Sequence, residues 1–284
     1  MTPRYPVYII SKGRYQSRLT AKALQRIGVP FSIVVEPQEA DQYRSVIEGG
    51  DVLVLPFSNL GRGSIPARNW VWTHAIATGA RRHWILDDNI YRFRRLYHHT
   101  MYPCGDASPF CVVEDIVDRY ENVPMAGMNY EYLVKHYQRV PPVYLNTRVY
   151  SMILLSNDPT DHISWRGRFN EDTDLSLRFL KRGDCTILTN AFVGDKVTTQ
   201  VMKGGNTDDL YANTDDRLEF AQSLVDQHPD VVQVTRKFGR WHHQVDYRPF
   251  KKNRLIKSDR DSSIQARREY RLKLTPRSGR ENVD

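Results

Sequence analysis

Two clusters of carboxylates set the chemistry open to this sequence. Asp87-Asp88-Asn89 follows Trp84-Ile85-Leu86 directly. A buried apolar strand therefore ends on two carboxylates and an amide, hard oxygen donors suited to a divalent cation. Ligands of open α/β sheets bind just beyond the carboxyl ends of such strands. Taken alone, the tripeptide suits an acidic turn or a helix cap equally well. The second cluster, Asn170-Glu171-Asp172-Thr173-Asp174, opens a segment with Leu175, Phe179 and Leu180 on one helical face. Acids in a first turn favour the helix dipole. Three carboxylates within four residues also repel one another, and such crowding calls for cations or donors nearby, as at a catalytic centre.

Smaller groups surround these anchors. Ser11-Lys12-Gly13-Arg14 closes the apolar run Val7-Tyr8-Ile9-Ile10, as a phosphate or nucleotide loop does. The next strand ends on Glu36. Pro66 starts a helix whose first turn carries Arg68 and Asn69, a pair that holds a base or diphosphate, or else a surface ion pair and a cap. Tyr91-Arg92-Phe93-Arg94-Arg95 interleaves aromatics with cations, a pattern that stacks bases and neutralises phosphates, or that places solvated arginines on a period-two strand. Adjacent His98 and His99 point opposite ways on a strand and make a poor metal pair. Trp165 and Arg166-Gly167-Arg168 occupy a loop. Lys203-Gly204-Gly205-Asn206 reads as a loop that closes over phosphates with a cation and bare backbone amides, or as a plain turn.

The elements that must position these groups alternate regularly. Strands at 6–10, 31–35, 51–55 and 84–89 interleave with helices, which predicts a mostly parallel α/β sheet with helices on both faces. Beyond it, irregular loop is expected at 98–103, a helix at 111–120 and a strand at 125–129. A strand pair or one bent strand follows at 143–155, then a loop at 158–169, the acidic helix ending at Gly183, and a strand at 184–188.

The chain of 284 residues has room for one large domain with an appended tail. It contains no long apolar run of membrane-spanning type and no signal-peptide core, so a soluble, intracellular protein is expected. Cys104, Cys111 and Cys185 are odd in number and lack metal or disulfide spacing. The formal charge is +8, and residues 250–284 carry eleven Lys plus Arg against five Asp plus Glu. A basic tail of this kind suits a polyanionic partner or simple solvation.

In their order and spacing the two acidic clusters, with Arg68-Asn69 ahead of the first, resemble the GT-A class of nucleotide-sugar glycosyltransferases over about residues 6–188. More narrowly, Ser11-Lys12-Gly13-Arg14, Asp87-Asp88-Asn89, Asn170-Glu171-Asp172-x-Asp174, Lys203-Gly204-Gly205-Asn206 and Trp241-His242-His243-Gln244-Val245-Asp246-Tyr247 resemble the phage TET-associated glycosyltransferases. The resemblance implies a GT-A-like, Rossmann-like domain over 1–249, with a nucleotide-sugar half at 1–95, an acceptor half at 96–249 and a basic tail at 250–284. It implies a UDP-sugar donor with Mn²⁺ or Mg²⁺, and as acceptor double-stranded DNA carrying 5-hydroxymethylcytosine or a related hydroxymethylated pyrimidine. The expected location is then the cytoplasm, that of the host for a phage-encoded enzyme.

Residue by residue, Ser11, Lys12, Gly13, Arg14, Glu36, Arg68, Asn69, Asp87 and Lys203 to Asn206 are the expected donor contacts. Asp88, Asn89, His242 and His243 are the expected metal ligands. The family pattern is Asp-x-Asp where this chain has Asp-Asp-Asn, so which two of the three touch the metal stays open. Asp172 is the expected general base of an inverting reaction, or orients the acceptor in a retaining one; Glu171 and Asp174 complete the catalytic set. Arg92, Arg94, Arg95, Trp165, Arg168 and the tail are the expected nucleic-acid contacts, with the target base flipped toward the metal. The alternatives are a protein or glycan acceptor, or a metal-dependent nucleotidyltransferase or nuclease.

Overall fold

The structure is a computed structural model and describes residues 1–135, 137–158, 163–167, 169–197, 216–237 and 239–258. Apolar, β-branched runs make the first strands: β1 (Val7–Ile10), β2 (Ser32–Val35), β3 (Asp51–Val54) and β4 (Arg82–Asp87). All four pair in parallel, in the order β3-β2-β1-β4. Between them lie α1 (Leu19–Arg26), α2 (Ala40–Arg44) and α3 (Ile65–Ala77). The helix α1 buries Thr20, Ala21, Ala23 and Leu24 and ends before Gly28, whose φ of 65° needs no Cβ-bearing residue. Trp84 and Leu86 fill one face of β4 and Ile85 the other, in two separate cores. Burial on both faces is why the strand reads as a continuous apolar run.

Beyond β4 the sheet is mixed. The strands are β5 (Ile90–Tyr97), β6 (Thr100–Pro103), β7 (Met125–Tyr130), β8 (Val143–Leu145), β9 (Met152–Ser156) and β10 (Thr186–Lys196). After β4 come β9, β7, β10, β5 and β6, with β8 paired to β10. The strand β9 is antiparallel to both β4 and β7, and β7 is parallel to β10, so β4, β7 and β10 all point their carboxyl ends to one edge. Gly127 makes the β7–β9 contact possible, because a Cβ there would run into the Met152 backbone and the Val149 side chain. The helices α4 (Ser108–Val117) and α5 (Glu171–Arg182) complete the layers. A separate hairpin of β11 (Val232–Lys237) and β12 (Arg240–Val245) rests on α6 (Asp216–Gln227).

Three expectations change. Residues 98–103 are not irregular: His98 and His99, at φ of 44° and 61°, form the tight turn between β5 and β6. The strand expected over 184–188 runs on to Lys196. Residues 250–258 are packed on the domain, since Phe250 is buried and the Ile256 carbonyl accepts the Glu121 N–H at 3.0 Å. The rest of the expected tail lies outside the described residues. All three cysteines are free thiols. No helix among the described residues is long and apolar enough to cross a membrane.

Candidate active site

Strand ends at one edge of the sheet build the site. The last residue of β4 is Asp87, that of β7 is Tyr130 and that of β10 is Lys196, while Ser151 immediately precedes β9. Lys196 Nζ donates to Asp87 Oδ2 at 2.8 Å, to Ser151 Oγ at 2.8 Å and to the Tyr130 hydroxyl at 3.3 Å. Ser151 Oγ in turn donates to Asp87 Oδ2 at 2.5 Å. Ser151 holds φ at 59°, a left-handed conformation that bonding on every side maintains.

Helix starts supply the opposing charges. Arg68, in the first turn of α3 and only 4% exposed, donates from Nη2 to Asp87 Oδ1 at 3.0 Å. Its Nη1 lies 3.5 Å from Asp172 Oδ1 and its Nε 3.6 Å from Glu171 Oε1, both in the first turn of α5. Two cations, Arg68 and Lys196, thus face three carboxylates, Asp87, Glu171 and Asp172. The environments separate the acids. Burial would raise the pKa of Asp87, but Lys196 and Arg68 overcome it and hold the group far below its ordinary value. Burial raises Asp172, with Glu171 and Asp87 adding to the effect and Arg68 opposing it.

On the other side of β4, Asp88 turns toward β1. Ser11 Oγ donates to Asp88 Oδ2 at 2.8 Å and shares a 2.7 Å hydrogen bond with the Tyr43 hydroxyl, and Arg14 pairs with Asp88 Oδ1. The Arg14 N–H donates to the same Tyr43 hydroxyl at 3.1 Å. Glu39 accepts the Gly13 N–H at 2.8 Å, and Lys12 Nζ lies 3.4 Å from Glu36. The loop after β1, Glu36 and Asp88 therefore form one connected wall. Asp88, expected as a metal ligand, faces Ser11 and Arg14 and not the Asp87–Asp172 cluster.

Other expected residues do different work. Asp174, expected in the catalytic set, has a fully buried side chain that accepts from Arg166 at 2.9 Å, Arg178 at 2.9 Å and His228 at 2.9 Å. Burial would raise its pKa, yet the hydrogen bonds from His228 and Arg166 and the charge of Arg178 leave it lowered. Asn69, expected on the donor, exchanges two hydrogen bonds with the Trp165 backbone, at 2.9 and 2.8 Å. Trp165, expected to stack a base, is buried, with the Arg68 guanidinium 4.6 Å over its ring and Trp72 against its edge. Arg94, expected on nucleic acid, is bound to Asp195 at 2.6 Å, and Arg95 lies over Tyr97. Arg92 sits on β5, in register with Asp195. Arg168 and Lys203 to Asn206 lie outside the described residues.

Asp174→Asn is expected to destabilise the fold by about 3–5 kcal/mol, the scale of breaking a buried ion pair, measured as a fall in the denaturant midpoint. Because the folded pKa is depressed, this contribution is full above the ordinary carboxylate pKa and is lost as pH falls through the folded value.

Among the described residues, no three His, Cys, Asp or Glu side chains converge on a metal position. His242 is exposed and His243 half-buried on β12; burial and the nearby charges of Arg148 and His242 push His243 down to about 4. A divalent ion completed by substrate phosphates needs only one or two protein carboxylates. The donors fit such an ion: Asn89 Oδ1 is buried with no hydrogen-bond donor, and one more acid than cation lines the cleft.

The sequence profile of the TET-Associated Glycosyltransferase family matches residues 5–205, a span that includes every residue of the cleft described above. The chain belongs to this family. It is therefore a glycosyltransferase, with the GT-A-like fold. Glucosyl-3-phosphoglycerate synthase from Mycobacterium tuberculosis, solved with Mg²⁺ and uridine diphosphate, aligns over 86% of this chain and 87% of its own, at 10% identity and a TM-score of 0.51. The same enzyme with Mn²⁺, uridine diphosphate and phosphoglyceric acid gives 12% identity, the same coverage and a TM-score of 0.50. At these identities the likeness is one of fold. No curated protein matches the sequence.

The sequence reading missed Tyr43, Tyr130, Ser151 and Lys196. Only Lys196 left a signal: a strand of eleven residues ends on it, but Asn190 and Gly194 break the apolar pattern on the way.

Proposed function

We propose that this TET-associated glycosyltransferase binds a UDP-sugar with Mg²⁺ or Mn²⁺ and transfers the sugar to the hydroxymethyl oxygen of 5-hydroxymethylcytosine, or a related pyrimidine, in double-stranded DNA. The observation that carries the reading is the pair of carboxylates that Arg68 joins, Asp87 at 3.0 Å and Asp172 at 3.5 Å, the first held ionised with Lys196 at 2.8 Å and the second raised by burial. Environments that push two acids apart separate a permanent charge from a group able to take up a proton near neutral pH. Asp172 is the base: as the hydroxymethyl oxygen bonds to the anomeric carbon, its proton passes to Asp172 and the sugar–phosphate bond breaks toward the diphosphate. Arg68 and Lys196 orient the donor and balance the charge on the departing phosphates.

Asp87 and Asn89 would hold the divalent ion, which would supply Lewis acidity toward the diphosphate. Uridine diphosphate and either metal are what the synthase of the same fold was solved with. The wall of Ser11, Arg14, Tyr43 and Glu36 would face the nucleotide. The DNA acceptor follows from the family resemblance and agrees with the charge of +8.

The donor half is tested by calorimetric titration of UDP into the protein with Mn²⁺ and again with EDTA. Metal removal is expected to weaken binding about tenfold or more, roughly 1.4 kcal/mol. Equal affinity in both conditions would contradict the metal assignment.

A further inference from the structure

The hairpin β11–β12 lies beyond the residues that the family profile covers, and the reaction above gives it no task. Its composition is one-sided. Residues 231–245 contain Arg236, Lys237 and Arg240 and no Asp or Glu, and residues 231–258 carry eight Lys plus Arg against the single Asp246. Cross-strand pairs share a face, so the register divides the hairpin in two. Val232/Val245, Val234/His243 and Arg236/Trp241 lie on one face; Gln233/Gln244, Thr235/His242 and Lys237/Arg240 lie on the other.

The base of the first face is apolar and roots the hairpin. Val232 is buried in a small core with Leu177, Leu180, Leu224 and Phe250, and Val245 packs against it. Toward the tip the same face changes character. Arg236 lies 5.6 Å over the ring of Trp241, which is 42% exposed, and at the tip the opposite face presents exposed Lys237 and Arg240. An exposed indole under a guanidinium has no part in the core, and a polar strand pair whose tip cations reach solvent matches a row of phosphates.

The hairpin is also tied to the reacting end of the cleft. Asn146 Nδ2 donates to the Phe250 carbonyl at 2.9 Å and to the Asn253 carbonyl at 3.1 Å. The loop between β8 and β9 that carries Ser151 is thereby pinned to the segment rooting the hairpin. In the same loop Arg148 lies 5.2 Å over the Tyr150 ring, and Tyr150 lies 4.5 Å from the Tyr130 ring at the site.

We propose that the β11–β12 hairpin is a phosphate-binding ribbon that grips the backbone of the DNA acceptor through Lys237, Arg240 and the Arg236–Trp241 pair while the target base enters the cleft. This rests on DNA being the acceptor. Phosphate contacts of this kind fix register and orientation and carry no sequence information, so the ribbon binds unmodified and modified duplexes alike.

The test is fluorescence anisotropy of a labelled unmodified duplex with wild-type protein, the Lys237→Ala/Arg240→Ala variant and the Arg236→Ala/Trp241→Ala variant, across a salt series, with thermal melts to show that each is folded. The first variant is expected to bind about tenfold or more weakly at low salt. Its plot of log affinity against log salt should be shallower by about 1.8, the value for two lost phosphate contacts. The second variant should lose affinity with about half that change in slope, since one of its two residues is charged. Wild-type affinity and slope in both variants would overturn the assignment, as would a loss with no change of slope. If wild type glycosylates DNA while both variants bind like wild type, only the hairpin assignment falls. If wild type binds no duplex at any salt, the hairpin and the DNA acceptor fall together.

Discussion

Asp172→Asn is expected to lower turnover by about two to four orders of magnitude, the range for removing a positioned general base, while UDP affinity stays within a few-fold of wild type. The amide keeps the size of the carboxylate and can still accept the Ser151 N–H, which lies 3.4 Å from Asp172 Oδ2. What it loses is the capacity to take a proton. In wild type the raised pKa puts an acid limb on the rate profile: turnover climbs as Asp172 loses its proton and levels off above its folded pKa. The variant should lack that limb. Stability gives an independent reading in metal-free protein. A group whose folded pKa is raised stabilises the fold while protonated, and the contribution disappears as pH rises through the folded value. The melting temperature of the variant relative to wild type should therefore rise with pH over that interval. Turnover within about threefold of wild type would remove Asp172 from the chemistry.

Lys196→Met is expected to cost about 10²–10³ in turnover, the scale of deleting one preorganised charge donor beside a developing anion. Lys196 binds Asp87, Ser151 and the Tyr130 hydroxyl at once, and burial, which would lower its pKa, is overcome by Asp87 so that the ammonium is held charged. Removing it leaves Asp87 with Arg68 and Ser151 alone, so the Asp87 pKa climbs and donor affinity falls along with turnover. Lys196→Arg keeps the charge in a wider head group and should recover part of the turnover. A purely structural role would instead lower the melting temperature and leave the turnover of the folded fraction unchanged.

The parallel half of the sheet was legible because each strand there is a short apolar run closed by Gly, Pro or acids, a pattern that survives without knowledge of neighbours. Asp87-Asp88-Asn89 and Glu171-Asp172 were legible for the same reason, as charge placed at the ends of apolar elements. The partition within them was not. Alternation along the chain sends Asp87 toward Lys196 and Asp88 toward Ser11 and Arg14, and the partners that decide each role come from strands far away in sequence. Asp174 reads like its neighbours, yet it lies on the helix face that meets Arg166 and His228, and it is consumed there. Trp165 and Asn69 look like binding residues by type but are fastened to each other and to Arg68. Ser151 could not be found at all, since a lone serine between two strands carries no pattern.

The most direct test of the central claim is nucleoside mass spectrometry of DNA containing 5-hydroxymethylcytosine after incubation with the purified protein, Mn²⁺ and a panel of UDP-sugars. A hexose or N-acetylhexosamine mass increment is expected on the modified nucleoside with one donor, absent with EDTA and absent with Asp172→Asn over the same interval. Metal-dependent release of UDP with no increment on DNA would contradict the acceptor assignment. Neither UDP release nor an increment with any donor would contradict the site itself.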